Sequence, residues 1–361
     1  MKIIHVIPNL KRGGAERIAL EICSRLNQKK GFSTLILYFE GENEYKEIYP
    51  DVQTKKVSTS IKISLFKKNK IDVSQLQKAV SDFQPNIINS HLYRSEFLIS
   101  LCDLRGAKWF SHIHGFAPEY RTNNSWKKKI TLKYERFLIN QNQSKIQFVA
   151  VSKNIGKFIR RFNAKAKIHI LENGIDLEKF KKSDNNRLFN FCSVGSLVDN
   201  KNHAFLLKVL KSLNKKRSEN HSMIIVGDGP EREKLESYIS EHNLRVELVG
   251  NTNEVAKYVN QGKIYLHASR REAFGLTILE AMACGLPGVT LDGGGNSQLV
   301  KTNYNGFLMK EENIDEFVRC IESLLDDESL FQEMSKNAIE TAQNFGMDAY
   351  ISKLILIYSN Y

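Results

Sequence analysis

Two glutamates eight positions apart, Glu272 and Glu280, sit in the run Arg271-Glu272-Ala273-Phe274-Gly275-Leu276-Thr277-Ile278-Leu279-Glu280-Ala281, which Gly285-Leu286-Pro287 closes. The pattern predicts a loop running into a short helix that Gly285 and Pro287 end. Glu272 then lies just before the helix start and Glu280 lies inside the helix. Free amides near Gly275 and Leu276, with the helix dipole behind them, favour an anion such as a diphosphate. Carboxylates accept hydrogen bonds from sugar hydroxyls. Two of them flanking a phosphate cradle suit a nucleotide that carries a sugar.

Four further motifs carry polar or backbone chemistry. Gly13-Gly14-Ala15-Glu16-Arg17 follows an apolar run and opens a helix, a backbone suited to close approach by phosphate or sugar. No full Gly-x-Gly-x-x-Gly is present, which argues against a dinucleotide cofactor and a dehydrogenase. His112-Ile113-His114-Gly115 follows an apolar segment, placing both histidines where a strand ends. Histidines two apart on a strand can bind a metal, but no third ligand stands near them in the sequence, so no metal is expected. Gly195-Ser196-Leu197-Val198-Asp199-Asn200-Lys201 places a cation after a strand end, and Gly227-Asp228-Gly229-Pro230-Glu231 reads as an architectural turn into a helix.

The elements that must position these residues alternate strand and helix. Ile3–Ile7 is an apolar strand, Ala15–Leu26 a helix with Ile18, Ala19, Ile22, Cys23 and Leu26 on one face, and Thr34–Phe39 the next strand. Pro85–Ser90 and Val149–Ser152 read as later strands. The alternation restarts after Asp184-Asn185-Asn186 with strands Phe189–Val194, Met223–Val226, Val246–Val249, Ile264–His267 and Gly288–Leu291 between helical segments. The fold class is α/β, with two doubly wound, Rossmann-like domains: residues 1–184 and 185–343. Ligands of such sheets sit at the carboxyl ends of the strands. A last helical segment, Met347–Tyr358, carries Ala349, Tyr350, Leu354, Ile357 and Tyr358 on one face.

Composition fits this organisation. At 361 residues, two cores are expected. The five cysteines are scattered without a CxxC pair, which fits a reducing cytosol. The N-terminal apolar run is cut by Pro8, and no stretch reaches the length of a membrane span. Net charge is +13, unevenly placed: residues 1–184 hold 34 Lys+Arg against 17 Asp+Glu, and the remainder 19 against 23. The basic half points to an anionic lipid surface ahead of nucleic acid, with simple solubility as the plainer account. Lys67-Lys68-Asn69-Lys70 and Trp126-Lys127-Lys128-Lys129 are the candidate lipid contacts.

Taken together, these motifs resemble the retaining glycosyltransferases of family GT4, which have the GT-B fold, and the resemblance covers nearly the whole chain. It implies two domains facing across a cleft, with residues 344–361 crossing back to the first. It implies that Glu280 binds the ribose hydroxyls, that Glu272 contacts the sugar or stabilises a cationic transition state, and that amides of Phe274, Gly275 and Leu276 hold the diphosphate or sugar. Gly14 faces the cleft and His114 stands beside the transferred sugar, while His112 is structural. Gly195 and Lys201 belong to the diphosphate site, and Ser196 stands where the family usually has an arginine. That departure removes a cation from the leaving group, an effect typically worth several kcal/mol; Arg270 or Arg271 would have to compensate. Asn173-Gly174-Ile175-Asp176 matches a family motif before the linker. The implied reaction moves a sugar from a nucleotide-diphosphate donor to a hydroxyl, for instance on a lipid-linked saccharide in bacterial surface-polysaccharide assembly, without cofactor or metal. The absence of an Asp-x-Asp tripeptide agrees with that. The implied location is cytoplasmic, peripheral at the inner face of the membrane. A sugar-nucleotide 2-epimerase on the same fold and a non-catalytic, surface-binding member are the alternatives.

Overall fold

The structure, a computed structural model, describes residues 1–62, 70–116, 146–183 and 187–360, with isolated positions between 132 and 141. The lysines of 67–69 and the Trp126 segment lie outside the described residues. The chain forms two compact units: Met1–Glu172 with Tyr350–Tyr361, and Asn173–Ala349.

The first unit is built on strands β1 (Lys2–Leu10), β2 (Ser33–Asn43), β3 (Thr54–Lys56), a β4–β5 hairpin (Ser60–Lys62, Lys70–Asp72), β6 (Ile87–His91), β7 (Lys108–Ile113), β8 (Ile146–Ala150) and β9 (Lys167–Ile170). Its seven-stranded sheet runs in the order β3-β2-β1-β6-β7-β8-β9. Every pairing in it is parallel. Parallel strands are covered on both faces, so β1, β6 and β8 read as continuous buried runs rather than alternating ones. Helices α1 (Gly14–Asn27), α2 (Ser74–Phe83), α3 (Leu92–Ser100) and α4 (Lys153–Phe162) supply the crossovers. The strand order reverses between β1 and β6, the place where sheets of this type open a crevice at their carboxyl ends.

The second unit repeats the plan with β10 (Phe189–Val194), β11 (Ser222–Val226), β12 (Arg245–Gly250), β13 (Gly262–His267), β14 (Gly288–Leu291) and β15 (Gly306–Met309). The order is β12-β11-β10-β13-β14-β15, all parallel, with the reversal between β10 and β13. Helices α5 (His203–Arg217), α6 (Arg232–Glu241), α7 (Val255–Val259), α8 (Leu276–Ala283), α9 (Ile314–Asp326) and α10 (Glu328–Gln343) belong to it. Phe205, Leu206 and Leu210 of α5 share one core with Phe317 and Ile321 of α9 and with Phe191 and Ile225 of the sheet.

Residues 173–183, read with the first domain from the sequence, cluster with the second unit. Backbone bonds explain this. Ile175 donates to Phe345 O and accepts from Met347 N, both at 2.9 Å, and Ser183 N and Lys181 O bond the Asn260 side chain. The last helix, α11 (Met347–Ser359), starts there, and from Tyr350 onward it belongs to the first unit. Its buried positions are Met347, Tyr350, Ile351, Leu354 and Tyr358; of the face read from the sequence, Ala349 is exposed and Ile357 only partly buried, and Ile351 lies on the buried face instead of Ala349. Tyr358 stacks edge-on to Phe110 at 4.8 Å and accepts a 2.7 Å hydrogen bond from the Asn89 amide in the middle of the sheet. Tyr358→Ala is expected to destabilise the first unit by about 3–5 kcal/mol, and Tyr358→Phe, which strands a buried amide, by about 1–3 kcal/mol. Urea midpoints measure both, and equal losses in the two variants would assign the ring no packing role.

Candidate active site

In the second unit the functional residues stand at the reversal between β10 and β13. Gly195 leaves β10 and leads through a short turn, Asp199–Lys201, to Asn202, whose left-handed backbone (φ 56°) redirects the chain into α5. Beside it, the loop after β13 carries Arg270–Gly275 into α8, with Gly275 at φ +101°. Glu272 therefore precedes the helix and Glu280 lies within it, 1% exposed, as the spacing predicted. The two loops are stitched together: Arg270 N donates to Asn200 O at 2.9 Å, and the Asn200 amide donates to Arg271 O at 3.0 Å.

Glycine makes these approaches possible. A Cβ on Gly227 would land on the carbonyl oxygen of Gly195, and one on Gly229 would lie 2.5–2.9 Å from Leu197 backbone atoms. Gly227-Asp228-Gly229 is thus the wall against which the 195–197 loop packs, which makes it architectural. On the other side, Glu272 N donates to Gly293 O at 2.8 Å, and a Cβ on Gly295 would strike the Ala273 backbone. Asn296, fully buried, accepts from Gly293 N and donates to Leu291 O. Gly293–Asn296 therefore holds the glutamate loop. Sequence reasoning assigned this segment no role, although three glycines in a row, Gly293-Gly294-Gly295, were the available signal.

This scaffold brings Lys201 and Glu272 together. The ammonium donates to Glu272 Oε2 at 2.7 Å, with the side chains 22% and 15% exposed. His267 Nε2 lies 3.4 Å from the same oxygen, and His203 packs beside Gly195. Burial alone would raise the Glu272 carboxyl, but His267 and Lys201 outweigh it and hold it at about 2. His203 and His267, which sequence reasoning missed, are buried at 2% exposure each. Ser196 is exposed, and Arg270 does not replace the missing cation: its guanidinium is engaged by Asp199 at 2.9 Å and Glu312 at 2.6 Å. Arg271 is exposed.

In the first unit, Gly14 opens α1, and Gly13 bonds the Tyr45 hydroxyl through both its N–H and its carbonyl. The Glu16 side chain folds back against Gly13, where a Cβ would meet its carboxyl oxygen. An acidic group already covers this turn, so it suits a hydroxyl ligand better than a phosphate. At the reversal between β1 and β6, four histidines gather. His5 Nδ1 lies 2.9 Å from His91 Nε2, and His91 Nδ1 lies 2.8 Å from His114 Nε2. His112 stacks on His114 at 4.6 Å and bonds the Tyr350 hydroxyl through Nε2 at 3.3 Å. The sequence offered only two of these as a pair without a third ligand. The structure supplies His91, in register with His112 on the neighbouring strand. Burial pushes His5 and His114 down to about 3 and His91 and His112 well below the ordinary histidine range.

The sequence model for glycosyl transferases group 1 matches residues 175–343, and that for glycosyltransferase family 4 matches residues 12–179. The chain belongs to the group 1 glycosyltransferases. An uncharacterized glycosyltransferase of Haemophilus influenzae is 34% identical over a stretch covering 45% of this chain and 46% of that protein, so the match spans about half of each. The UDP-Gal:alpha-D-GlcNAc-diphosphoundecaprenol alpha-1,3-galactosyltransferase of Escherichia coli is 28% identical, covering 76% of this chain and 75% of that one. An alpha-1,4-N-acetyl-D-galactosaminyltransferase of Campylobacter jejuni, named for a diNAcBac-PP-undecaprenol saccharide, is 23% identical over 96% and 94%. Among solved structures, Anabaena HepE in complex with UDP-glucose superposes with a TM-score of 0.82 at 20% identity over the full length of both chains. The fold of this group 1 glycosyltransferase is accordingly GT-B.

The second unit's stability depends on pH through its buried histidines. His203 is pushed down to about 3 and His267 is lowered too, both chiefly by burial. Each takes a proton near pH 6.5 when unfolded but not when folded. Stability therefore falls as the pH drops below about 6.5, by up to about 1.4 kcal/mol per pH unit for each histidine. Glu272 acts in the same sense lower down: its contribution is complete above its ordinary value of 4.5 and lost as the pH falls toward about 2. Denaturant midpoints at pH 7 and pH 5 test the sign, with His203→Gln expected to flatten the slope. A midpoint unmoved between the two would contradict it.

Proposed function

We propose that this protein transfers a sugar, with retention of configuration, from a nucleoside-diphosphate sugar to a hydroxyl of a lipid-linked saccharide. The observation that carries this reading is the Lys201–Glu272 pair beside the left-handed start of α8. A diphosphate placed there takes over Lys201 and the amides of Phe274, Gly275 and Leu276. Lys201 exchanges one anion for another, so its release from Glu272 carries little electrostatic penalty. Glu272, freed and ionised, then accepts hydrogen bonds from the sugar or faces the positive charge that develops at its anomeric carbon. Glu280 serves the ribose hydroxyls, and Gly195 lets the chain pass close to the phosphates. His114, uncharged, can donate to or accept from a sugar hydroxyl. In this scheme the acceptor attacks on the face the leaving group departs from, its proton passing to the leaving phosphate. No resident cofactor is invoked. The curated relatives from Escherichia coli and Campylobacter jejuni, both named for undecaprenol-linked saccharides, support the choice of acceptor.

The basic first half supports a peripheral position at an anionic membrane surface. Among the described residues no helix is long and apolar enough to cross a membrane.

Glu272→Gln is expected to lower transfer by about 100-fold or more, and to lower the thermal midpoint as well because Lys201 loses its partner; assayed well below that midpoint, an unchanged rate removes the assigned role. UDP or GDP should raise the midpoint by mass action, and Lys201→Ala should abolish that rise. Ser196→Arg should strengthen diphosphate binding, and weaker binding would point to a remodelled pocket. Conversion of donor to an epimerised sugar without acceptor would reassign the protein to the isomerases. Binding to anionic vesicles is expected to weaken as salt screens the lysines, and salt-independent binding would contradict the electrostatic account.

A further inference from the structure

We infer that His91, His112 and His114 form a binding site for one divalent metal ion of the imidazole-preferring class, Zn2+ or its transition-metal neighbours. The three residues each offer a ring nitrogen, and these nitrogens lie within 4.8 Å of one another. Strand geometry makes the convergence. His91 ends β6 directly across from His112 of β7, and His114 follows two residues later on the same face.

The partners of the remaining nitrogens favour a metal over a plain hydrogen-bonded cluster. Metal-ligating histidines usually bond their second nitrogen to a neighbour that fixes ring and tautomer. His91 has such a neighbour, with Nε2 at 2.9 Å from His5 Nδ1. His112 has another, with Nε2 at 3.3 Å from the Tyr350 hydroxyl. These contacts leave Nδ1 of both rings for a ligand. His112 Nδ1 is buried and has no hydrogen-bond partner among the described residues, in a side chain that is itself fully buried. Such a group calls for a partner. His91 Nδ1 faces His114 Nε2 at 2.8 Å. Nitrogens bound to one metal at about 2.0–2.1 Å in tetrahedral geometry stand roughly 3.3 Å apart. The His91–His114 pair therefore opens slightly and His112 closes in. His114, partly exposed just beyond the strand, is the ring free to adjust and the way in.

The donor set selects the ion. Three neutral imidazoles suit Zn2+, Cu2+, Ni2+ or Co2+ and offer nothing to Mg2+ or Ca2+, which take oxygen. Glu96 is not a competing ligand, since its carboxylate accepts from Ser111 Oγ, a residue on the other face of β7. A fourth position stays open on the His114 side. The site rests on this geometry and not on the transfer reaction. If both readings hold, metal and sugar compete for His114.

The experiment is a Co2+ titration of the full chain, free of any affinity tag and stripped with chelator. One equivalent should develop the visible ligand-field bands of four-coordinate Co2+, and one equivalent of Zn2+ should erase them. His114→Ala should abolish the bands with the circular dichroism unchanged. Tyr350→Phe should weaken Co2+ binding about 10- to 100-fold, and His242→Ala, in the other unit, should leave it intact. A wild-type chain without these bands, bands that persist in His114→Ala, or their loss in His242→Ala would each overturn the assignment.

Discussion

The close approach of backbone to backbone at the carboxyl ends of β10, β11, β13 and β14 is the constraint on which the second unit's chemistry depends. Lys201 and Glu272 are 71 residues apart in sequence and meet at 2.7 Å only because the two loops carrying them are pressed onto glycine walls. Gly227 and Gly229 hold one loop, Gly293 and Gly295 the other. At Gly227 and Gly295 any side chain would strike a backbone atom of the loop it supports, so neither loop could keep its position. The helix start at Gly275 is fixed by the same packing, since Gly295 lies against Ala273 and Phe274. Position, in this unit, is a property of missing side chains.

That arrangement also sets the electrostatic state of the pocket. A carboxylate as enclosed as Glu272 would tend toward its neutral form, and Lys201 with His267 reverses the tendency. The pair keeps each charge ready without leaving either one unmatched, because an uncompensated charge in such a place is strongly destabilising. A bound anion and a bound hydroxyl can then replace the partners that the two side chains give one another. Arg270, tied to Asp199 and Glu312, plays a different part: it braces the loops from outside rather than adding charge to the pocket.

Sequence patterns revealed those features whose cause is local. Glu272 before a helix and Glu280 inside it follow from the turn residues around them, and the buried parallel strands follow from unbroken apolar runs such as Ile3–Ile7. Short strands at the sheet edges, Thr54–Lys56 and Lys167–Ile170, were not legible, because they are only three and four residues long, are largely exposed or half-exposed, and owe their conformation to the neighbour they pair with. The place of residues 173–183 was hidden for a similar reason: backbone bonds from Ile175 to Phe345 and Met347 decide it, and such bonds leave no mark on residue type. His203 and His267 look like ordinary core positions in a helix and a strand, and only the fold sets them around Lys201 and Glu272.

The two units solve one problem in different ways. Each must hold polar groups at a sheet reversal, where burial penalises charge. The second does it with opposite charges. The first does it with groups that need not be charged: four imidazoles in near-parallel stacks, linked through His91 to His5 and His114. A neutral imidazole has one donor and one acceptor nitrogen, so the chain His5–His91–His114 must run in one direction. If His114 donated toward His91, His5 would be left with a buried N–H at Nε2 and nothing to receive it. In the ion-free protein it therefore runs the other way, and His5 keeps only a bare lone pair there, the more tolerable defect; an ion bound at His91 Nδ1 displaces that proton and reverses the chain, so its binding must outweigh a stranded N–H on His5. Without the ion, His114 turns an N–H at Nδ1 outward, and the tautomer it presents to any ligand is decided by a residue on β1 that the ligand never touches.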